Sequence, residues 1–299
     1  MENAPSRCAI RIGPAGWSYP DWVGPVYPAG KKVDELLTIA RYFDCVELNS
    51  SFYRTPAERT VRSWALRISE RPGFAFTVKV LSRFTHERAA TPDDARRFLG
   101  AFEALLAMEA IGVFLFQFPW SFRDSRESRN WLENLATWFK DIPTTVELRH
   151  ASWRNASAES FLAGRGLAFC NIDQPVIGSS MPPTEIVTQT RLSYIRLHGR
   201  NYHSWVRKDA GRDERYDYLY RENELEEWKQ RAEHLAARVD NLYIITNNHF
   251  RAQALVNAFQ LKYLLGEGKQ RMPDPLIEAY PVLRSIAIEP PAQDTLLRW

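Results

Sequence analysis

The stretch "TTVELRH", residues 144–150, brings an acid, a guanidinium group and an imidazole to the end of one predicted β-strand. Its threonines and Val146 favour a pleated sheet. Because side chains alternate along a strand, Glu147 and Arg149 lie on the same face, and His150 follows at the end. A carboxylate beside a cation is suited to acid–base chemistry or to binding an anionic ligand.

Polar and charged side chains also end most of the other apolar runs of the chain. These runs end with Glu47 and Asn49, Lys79, Gln117, Asp173, Arg196 and His198, and Asn247, Asn248 and His249. In a barrel of parallel strands the active site forms at the C-terminal ends of the strands. The sequence therefore predicts that these side chains converge on one site, to which "VELRH" contributes one part.

The predicted catalytic residues are Glu47, Glu147, Asp173 and His198. A glutamate, Glu47 or Glu147, would serve as general base and His198 as general acid, while cations on neighbouring strands stabilise negative charge. These cations are Arg149, Arg196 and Lys79. The same four catalytic residues would be the ligands if a divalent metal is bound. Three acids facing three cations carry little net negative charge, so we predict no cofactor and favour a site without a metal.

The loops after the strands repeatedly combine an aromatic ring with an arginine or a histidine. The segments are "GWSYPDW" (16–22), "SFYR" (51–54), "SRFTH" (82–86), "WSFR" (120–123), "SWR" (152–154), "GRNYHSW" (199–205) and "HFR" (249–251). Aromatic rings stack on sugars and bases, and guanidinium groups bind phosphate or carboxylate. The predicted substrate-binding residues are therefore Trp17, Tyr19, Asn49, Tyr53, Lys79, Gln117, Arg149, Arg196, Asn247, Asn248 and His249.

The same residues also fit a purely structural network. Buried acids and arginines satisfy each other's charge inside a barrel, and a single loop aromatic more often covers the core than binds a ligand. For the whole set we favour function. So many titratable groups at one end of a barrel cost more desolvation than a scaffold needs.

Eight short apolar runs alternate with longer amphipathic segments. The strand-like runs are 8–13, 45–50, 74–80, 112–118, 144–150, 167–173, 192–199 and 242–248. The helical patterns are 33–43, 57–70, 92–109, 127–139, 157–164, 222–238 and 251–265. This alternation predicts an α/β fold with a parallel sheet, and eight units in 299 residues predict a single closed (β/α)₈ TIM-barrel-like domain. A doubly wound open sheet is the alternative, but no Gly-x-Gly-x-x-Gly follows the first run.

The barrel domain is predicted to span residues 8–265. Residues 266–299 include the proline-rich segments "MPDPLIEAYP" and "EPPAQ", so we predict a C-terminal extension packed irregularly on the barrel. Residues 174–191 contain three prolines and are predicted to form a loop. The segment "YDYLYRENELEEW" (216–228) is typical of the start of an amphipathic helix with a solvated acidic face.

Composition favours a globular protein of a reducing compartment. Hydrophobic residues make up 45% and charged residues 25% of the chain, as in ordinary globular domains. Three cysteines without paired spacing argue against a disulfide framework and a cysteine zinc site. The N-terminus lacks the apolar core of a signal peptide, and the stretch "IGVFLFQF" is too short to span a bilayer. We predict a cytoplasmic protein without a membrane partner.

Several segments resemble the YecE-like family, also known as the domain of unknown function number seventy-two. They are "GPAGWSYPDWVGPVYP", "FDCVELNSSFYRTP", "FTVKVLSRFTH", "FLFQFPWSF", "VELRHASW", "YIRLHGR" and "NNH", in order over roughly residues 10–262. The resemblance implies a TIM-barrel-like fold and brings no established reaction. Two features depart from the family's pattern: the extended tail, and Pro14 and Ala15, where a hydroxyl-bearing residue is expected. The second departure weakens the case for an anion contact on that loop.

Two classes of function follow from these observations. The first is an enzyme that acts at the barrel mouth on a phosphorylated sugar, a nucleotide or a nucleic acid. Its acid–base chemistry would be that of a hydrolase, or that of a lyase or isomerase. The second is a non-catalytic module that binds single-stranded nucleic acid or a glycan, although a net charge of +3 is small for tight nucleic-acid binding. A scaffold protein that uses the tail is a third interpretation. The oligomeric state stays open.

Overall fold

The structure, a computed structural model, describes residues 8–207, 209 and 211–288 of the chain. Its centre is an eight-stranded parallel sheet in the order β1-β8-β7-β6-β5-β4-β3-β2. The strands are β1 (Ala9–Pro14), β2 (Cys45–Leu48), β3 (Ala75–Lys79), β4 (Ile111–Gln117), β5 (Thr144–Glu147), β6 (Ala168–Asp173), β7 (Ser193–Leu197) and β8 (Asn241–Thr246). All eight predicted strands are present, which confirms the predicted barrel.

Strands β1 and β2 close the sheet into a nearly complete barrel. They share two backbone hydrogen bonds, from Asp44 N to the Ile12 oxygen at 3.2 Å and from Gly16 N to the Glu47 oxygen at 2.8 Å. The other neighbouring strands pair through longer ladders, such as the six-residue register between β1 and β8. The weakest seam of the barrel therefore lies beside Glu47.

Within the described residues, twelve α-helices lie between and after the strands. They are α1 (Glu35–Tyr42), α2 (Glu58–Ile68), α3 (Ser82–Thr85), α4 (Pro92–Ala101), α5 (Glu103–Ala107), α6 (Arg126–Trp138), α7 (Ala156–Ala163), α8 (Tyr202–Val206), α9 (Arg212–Arg215), α10 (Glu222–Ala236), α11 (Gln253–Lys262) and α12 (Asp274–Ala279). None of these helices combines the length and apolar character needed to cross a bilayer. As predicted, a loop rather than a helix connects β6 to β7.

One helix prediction is wrong in detail. The predicted helix 92–109 is broken at Phe102, whose ring is fully buried against Phe98 and Phe114 and whose backbone leaves the helical region (φ −99°, ψ 7°). Burial of the Phe102 ring overrides helix periodicity within this segment. The helix predicted for residues 222–238 begins at Glu222, as predicted. Before it, the tyrosines of residues 216–221 turn toward the barrel, where the Tyr220 hydroxyl accepts a hydrogen bond from the Gly199 N–H at 2.8 Å.

The described part of the C-terminal extension, residues 266–288, packs on the barrel through a few apolar side chains. Leu276 and Leu283 are fully buried in the hydrophobic core, and Gln270 pairs with Ala287 in a short parallel bridge. The rest of the predicted extension, residues 289–299, lies outside the described residues. The domain boundary at residue 265 stays a prediction.

Gly13 allows the β1–β2 seam to form. A Cβ at this position would lie 1.8 Å from the Cys45 carbonyl oxygen, a backbone atom that no side-chain motion can move away. We expect Gly13→Ala to lower the free energy of unfolding by roughly 1–3 kcal/mol, because the two strands must separate. The matched control is Gly100→Ala in α4, where an added Cβ meets nothing within 4 Å and alanine favours the helix. Urea denaturation of both variants checks this, and equal stabilities would contradict it.

Candidate functional site at the barrel mouth

A salt-bridge network crosses the barrel at the C-terminal ends of the strands. Arg196 of β7 binds both carboxylate oxygens of Glu47, with Nε–Oε2 at 2.9 Å and Nη2–Oε1 at 2.5 Å. Its third nitrogen, Nη1, lies 2.6 Å from Oε2 of Glu147. All three side chains are buried. One guanidinium group therefore holds two carboxylates from two different strands, β2 and β5, a geometry that favours fully charged partners.

Both glutamates have further hydrogen-bond partners. The Tyr194 hydroxyl donates to Glu47 at 2.9 Å and lies 2.8 Å from the Thr77 hydroxyl. Arg149 Nε donates to Oε1 of Glu147 at 2.7 Å. Burial acts to raise the pKa of Glu147, but the charges of Arg149 and Arg196 outweigh it and hold that pKa well below its ordinary range. Glu147 is therefore a permanent anion near neutral pH.

His198 of the loop after β7 is a neutral member of the network. Burial lowers the pKa of His198 to about 3, although Glu147 acts in the opposite direction. Its Nδ1 accepts a hydrogen bond from the Asn247 amide at 2.9 Å, and its Nε2–H donates to Glu147 at 3.2 Å. The Arg149 Nη2 lies 3.4 Å from the same Nε2 and, as a second donor, adds no hydrogen bond.

The lowered pKa of His198 predicts a loss of stability in mild acid. Below the ordinary histidine pKa of roughly 6.5, this imidazole binds a proton in the unfolded chain but stays neutral in the folded chain. Each decrease of one pH unit therefore lowers the free energy of unfolding by about 1.4 kcal/mol, until the pH approaches the pKa of the folded state. Glu147 adds to the loss only below roughly pH 4.5. We expect His198→Gln to remove this contribution between pH 6.5 and 4.5, measured by urea denaturation, and to leave that of His86, whose pKa is also lowered. The exposed His234→Gln is the control, and equal slopes in both variants would contradict the assignment.

A cavity of about 390 Å³ lies directly above the network at the barrel mouth. Its described lining contains two arginines, one lysine and no carboxylate. The lining residues are Gly16, Trp17, Ser18, Tyr19, Leu48, Asn49, Ser50, Tyr53, Lys79, Gln117, Arg149, Arg196, Tyr216, Asn247 and His249. The acids lie behind the arginines, so the face presented to a ligand is positive.

Aromatic rings form one wall of this cavity. The Tyr19 ring stacks on His249 with centroids 4.5 Å apart and an interplanar angle of 22°, and Tyr216 packs against the same imidazole at 5.2 Å. Trp17 packs edge-on against Trp64 at 5.5 Å. These contacts fix the rings in place, which suits them to bind a flat ligand group at small entropic cost.

A larger cavity of about 920 Å³ opens at the opposite end of the barrel, around the first residues of β3, β4, β5 and β8. Its lining mixes arginines such as Arg71 and Arg165 with acids such as Asp141 and Asp240. The buried titratable network lies at the other end. Because active sites of such barrels form at the C-terminal face, we place the candidate site at the smaller cavity.

Sequence comparison assigns the chain to a family. The family model described as "Protein of unknown function DUF72" matches residues 11–280. The chain belongs to the DUF72 family. The UPF0759 protein YunF of Bacillus subtilis (strain 168) is 31% identical over 270 residues, which cover 86% of this chain and 94% of YunF. The UPF0759 protein YecE of Escherichia coli O157:H7 is 28% identical over 174 residues, or 57% of this chain and 59% of YecE. These matches confirm the resemblance to the YecE-like family.

Solved structures of DUF72 proteins share the fold. A DUF72 family protein from Thermotoga maritima MSB8 superposes with a TM-score of 0.77 at 34% identity, covering 86% of this chain and 99% of that one. Another, from Enterococcus faecalis V583, gives a TM-score of 0.77 at 27% identity, covering 86% and 95%. These relatives establish the family and the fold of this chain.

Ten of the residues predicted for the DUF72 site line the mouth cavity. They are Trp17, Tyr19, Asn49, Tyr53, Lys79, Gln117, Arg149, Arg196, Asn247 and His249. Three predicted catalytic residues, Glu47, Glu147 and His198, lie behind this lining and are fully buried. They contact the ligand-facing residues rather than the cavity itself.

Two predicted residues lie apart from the cavity. Asp173 is bound by the Arg200 guanidinium, with Nε–Oδ2 at 2.8 Å, and so takes no part in the Arg196 network. Asn248 is fully buried and donates to the Tyr218 carbonyl oxygen and to Asn257. These contacts tie together the loops after β6, β7 and β8. Their predicted roles in catalysis and in substrate binding have no geometric support.

The sequence interpretation missed Tyr216 together with the small residues of the cavity lining. Tyr216 lies in the long connection between β7 and α10, where no strand end marks it. The aromatic run "YDYLY" was the available signal, since three tyrosines at every second position indicate an extended segment with one buried face.

Among the described residues of this DUF72 chain, no group of three or more histidine, cysteine, aspartate or glutamate side chains is arranged to hold a metal ion. The space between Glu47 and Glu147 is filled by the Arg196 guanidinium. Of the four residues predicted as ligands if a metal is bound, Asp173 is engaged with Arg200 instead.

Proposed function

We propose that this protein is an enzyme that binds a small anionic ligand, a phosphorylated sugar or a nucleotide, in the cavity at the barrel mouth. The observation that carries the proposal is the charge of the cavity lining. Lys79, Arg149 and Arg196 face the cavity, whereas the carboxylates that neutralise the arginines lie behind them. An anion in the cavity would therefore meet guanidinium groups that are already oriented.

The buried acids act by positioning in this proposal. Glu47 and Glu147 fix the orientation of Arg196, and Glu147 also fixes Arg149. A guanidinium group held in this way loses little side-chain entropy when a phosphate binds. Glu147 is a permanent anion and His198 is neutral, so neither donates a proton to a ligand near pH 7.

Proton transfer to the ligand falls to groups that line the cavity. His249 and Lys79 are both part of the lining, and His249 is held by the Tyr19 stack and by Asp213, whose Oδ1 lies 3.3 Å from Nε2. A carboxylate next to an imidazole orients the ring for acid–base chemistry. We therefore assign acid–base roles to His249 and Lys79 in place of the glutamates and His198.

A second candidate function is the binding of an extended ligand, single-stranded nucleic acid or a glycan, across the loops. Aromatic side chains on loops after β2, β4 and β7 are exposed: Tyr53 by 74%, Trp120 by 43% and Tyr202 by 55%. Arg123 lies over the Trp120 ring at 5.4 Å. Exposed rings beside arginines suit successive bases or sugars.

A thermal-shift titration separates the two candidates. We expect glucose 6-phosphate to raise the unfolding midpoint in a saturable way, because a ligand that binds the folded state stabilises it. Unphosphorylated glucose is the matched control and should leave the midpoint unchanged. A short single-stranded DNA with a salt-sensitive shift, in the absence of any shift with phosphorylated sugars or nucleotides, would overturn the proposal in favour of the extended-ligand function.

A further inference from the structure

Lys79 is a partly buried amine of the cavity lining. It ends β3, and its Nζ lies 4.0 Å from the centroid of the Phe52 ring. Among the described residues it forms no salt bridge, because the nearby carboxylates of Glu47 and Glu147 are bound by arginines. A buried lysine normally has a carboxylate partner. Without one, the Lys79 amine can lose its proton and react as a nucleophile.

The surroundings favour the neutral form of the amine. Burial, followed by the positive charge of Arg196, lowers the pKa of Lys79 to about 7. Arg149 acts in the same direction, whereas the buried glutamates behind both arginines act to raise the pKa. Near neutral pH a large fraction of the side chain is thus an unprotonated amine with a free electron pair.

His86, after α3, is the other titratable neighbour of Lys79. Burial, followed by the charge of Lys79, lowers the pKa of His86 to about 4. The imidazole is therefore neutral near pH 7, and its ring contacts Phe52 edge-on at 4.8 Å. Phe52 thus lies between Lys79 and His86, and the pKa of each of these two groups is lowered.

We propose that Lys79 forms an imine with the carbonyl group of a phosphorylated aldehyde or ketone held in the mouth cavity. This inference rests on the proposed function, because the same arginines hold the anionic group. Arg149 and Arg196 keep their charge at every relevant pH and line the same cavity as the amine. A ligand with both groups would place phosphate on the guanidinium groups and carbonyl carbon at Nζ.

The step needs no oxidant, reductant or metal. The Nζ electron pair attacks the carbonyl carbon, the C=O π bond breaks, and the oxygen takes the proton that the nitrogen releases, which gives a carbinolamine. The hydroxyl group then takes one proton from solvent and leaves as water, while the nitrogen forms the C=N bond. The product is a protonated imine, which withdraws electrons from the adjacent carbon and makes its C–H bond acidic. That acidity suits isomerase- or lyase-type chemistry.

Reductive trapping tests the inference. The protein is treated at pH 7 with pyridoxal 5′-phosphate, an anionic aldehyde, then with sodium borohydride, and the modified lysines are mapped by mass spectrometry. We expect at least about tenfold more adduct on Lys79 than on the exposed Lys31 and Lys32, because a neutral amine reacts and an ammonium does not. The Lys79 adduct should reach half its maximum near pH 7, and adducts on exposed lysines only toward pH 10.

The control variant is Lys79→Arg, whose guanidinium group forms no imine, and it should lose the mapped adduct. The unmodified protein should show a midpoint shift with glycerol 3-phosphate, an anion without a carbonyl group. Equal labelling of Lys79 and the exposed lysines would overturn the imine. If glycerol 3-phosphate still raises the midpoint in that case, the proposed anion site stands alone; if it does not, both proposals fail.

Discussion

Replacing Arg196 by methionine is expected to destabilise the fold by roughly 3–5 kcal/mol at pH 7. The guanidinium contacts both oxygens of Glu47 and one of Glu147, and all three side chains are buried. Removing it leaves two carboxylates in the barrel without their shared counter-charge. Burying an unpaired charge costs far more than the net worth of the original salt bridge.

Two further measurements identify the cause of that loss. The loss should shrink as the pH falls toward 4, because protonation removes the uncompensated negative charge. Adding Glu47→Gln to Arg196→Met should restore part of the stability at pH 7, since one of the two buried charges is then gone. Arg62→Met, which breaks the exposed pair with Glu58, serves as the control and should change stability by less than about 0.5 kcal/mol. A loss below about 1 kcal/mol, or one independent of pH, would contradict the network as described.

The second large effect concerns ligand affinity. Arg149 lines the cavity with a side chain that is 17% exposed and held by Glu147 at 2.7 Å. A charge-assisted hydrogen bond to phosphate is worth roughly 2–3 kcal/mol, so Arg149→Met should weaken binding of a phosphate ester by about 100-fold. Titration calorimetry at fixed ionic strength measures this directly.

The controls for this variant separate geometry from net charge. Arg149→Lys keeps the charge but loses the planar fork, and we expect an intermediate affinity. Arg123→Met removes the same charge from the outside of the mouth, beside Trp120, and should leave the affinity within about twofold. Equal losses of affinity in Arg123→Met and Arg149→Met would contradict binding in the cavity. Phosphate would then be attracted by the overall positive charge of the protein surface.

The barrel and the inward faces of its strands followed from sequence periodicity. The alternation of apolar and polar residues placed Glu47, Glu147 and Arg196 on inner faces at one end of the barrel, where the structure brings them together. Sequence periodicity did not predict which of these charged side chains form salt bridges with each other. One arginine bridges two glutamates because of strand tilt and register across the barrel, which no local pattern encodes.

Most of the remaining differences between the predicted site and the structure concern residues in loops. Asp173 pairs with Arg200, whose position depends on the path of the loop after β7. Asn248 follows the cavity-lining Asn247 after the end of β8, and its side chain donates to the Tyr218 carbonyl oxygen. The depressed pKa values of His198 and Lys79 arise from burial and nearby charges, which appear only once the chain is folded.

A crystal structure with bound glycerol 3-phosphate tests the central claim, that the barrel mouth is an anion site, most directly. We predict phosphate oxygens within hydrogen-bonding distance of the Arg149 and Arg196 guanidinium groups, with Glu47 and Glu147 still paired to Arg196. Phosphate bound instead at the opposite cavity, near Arg71 or Arg165, would contradict the placement of the site. So would an unoccupied mouth at concentrations that saturate binding in solution.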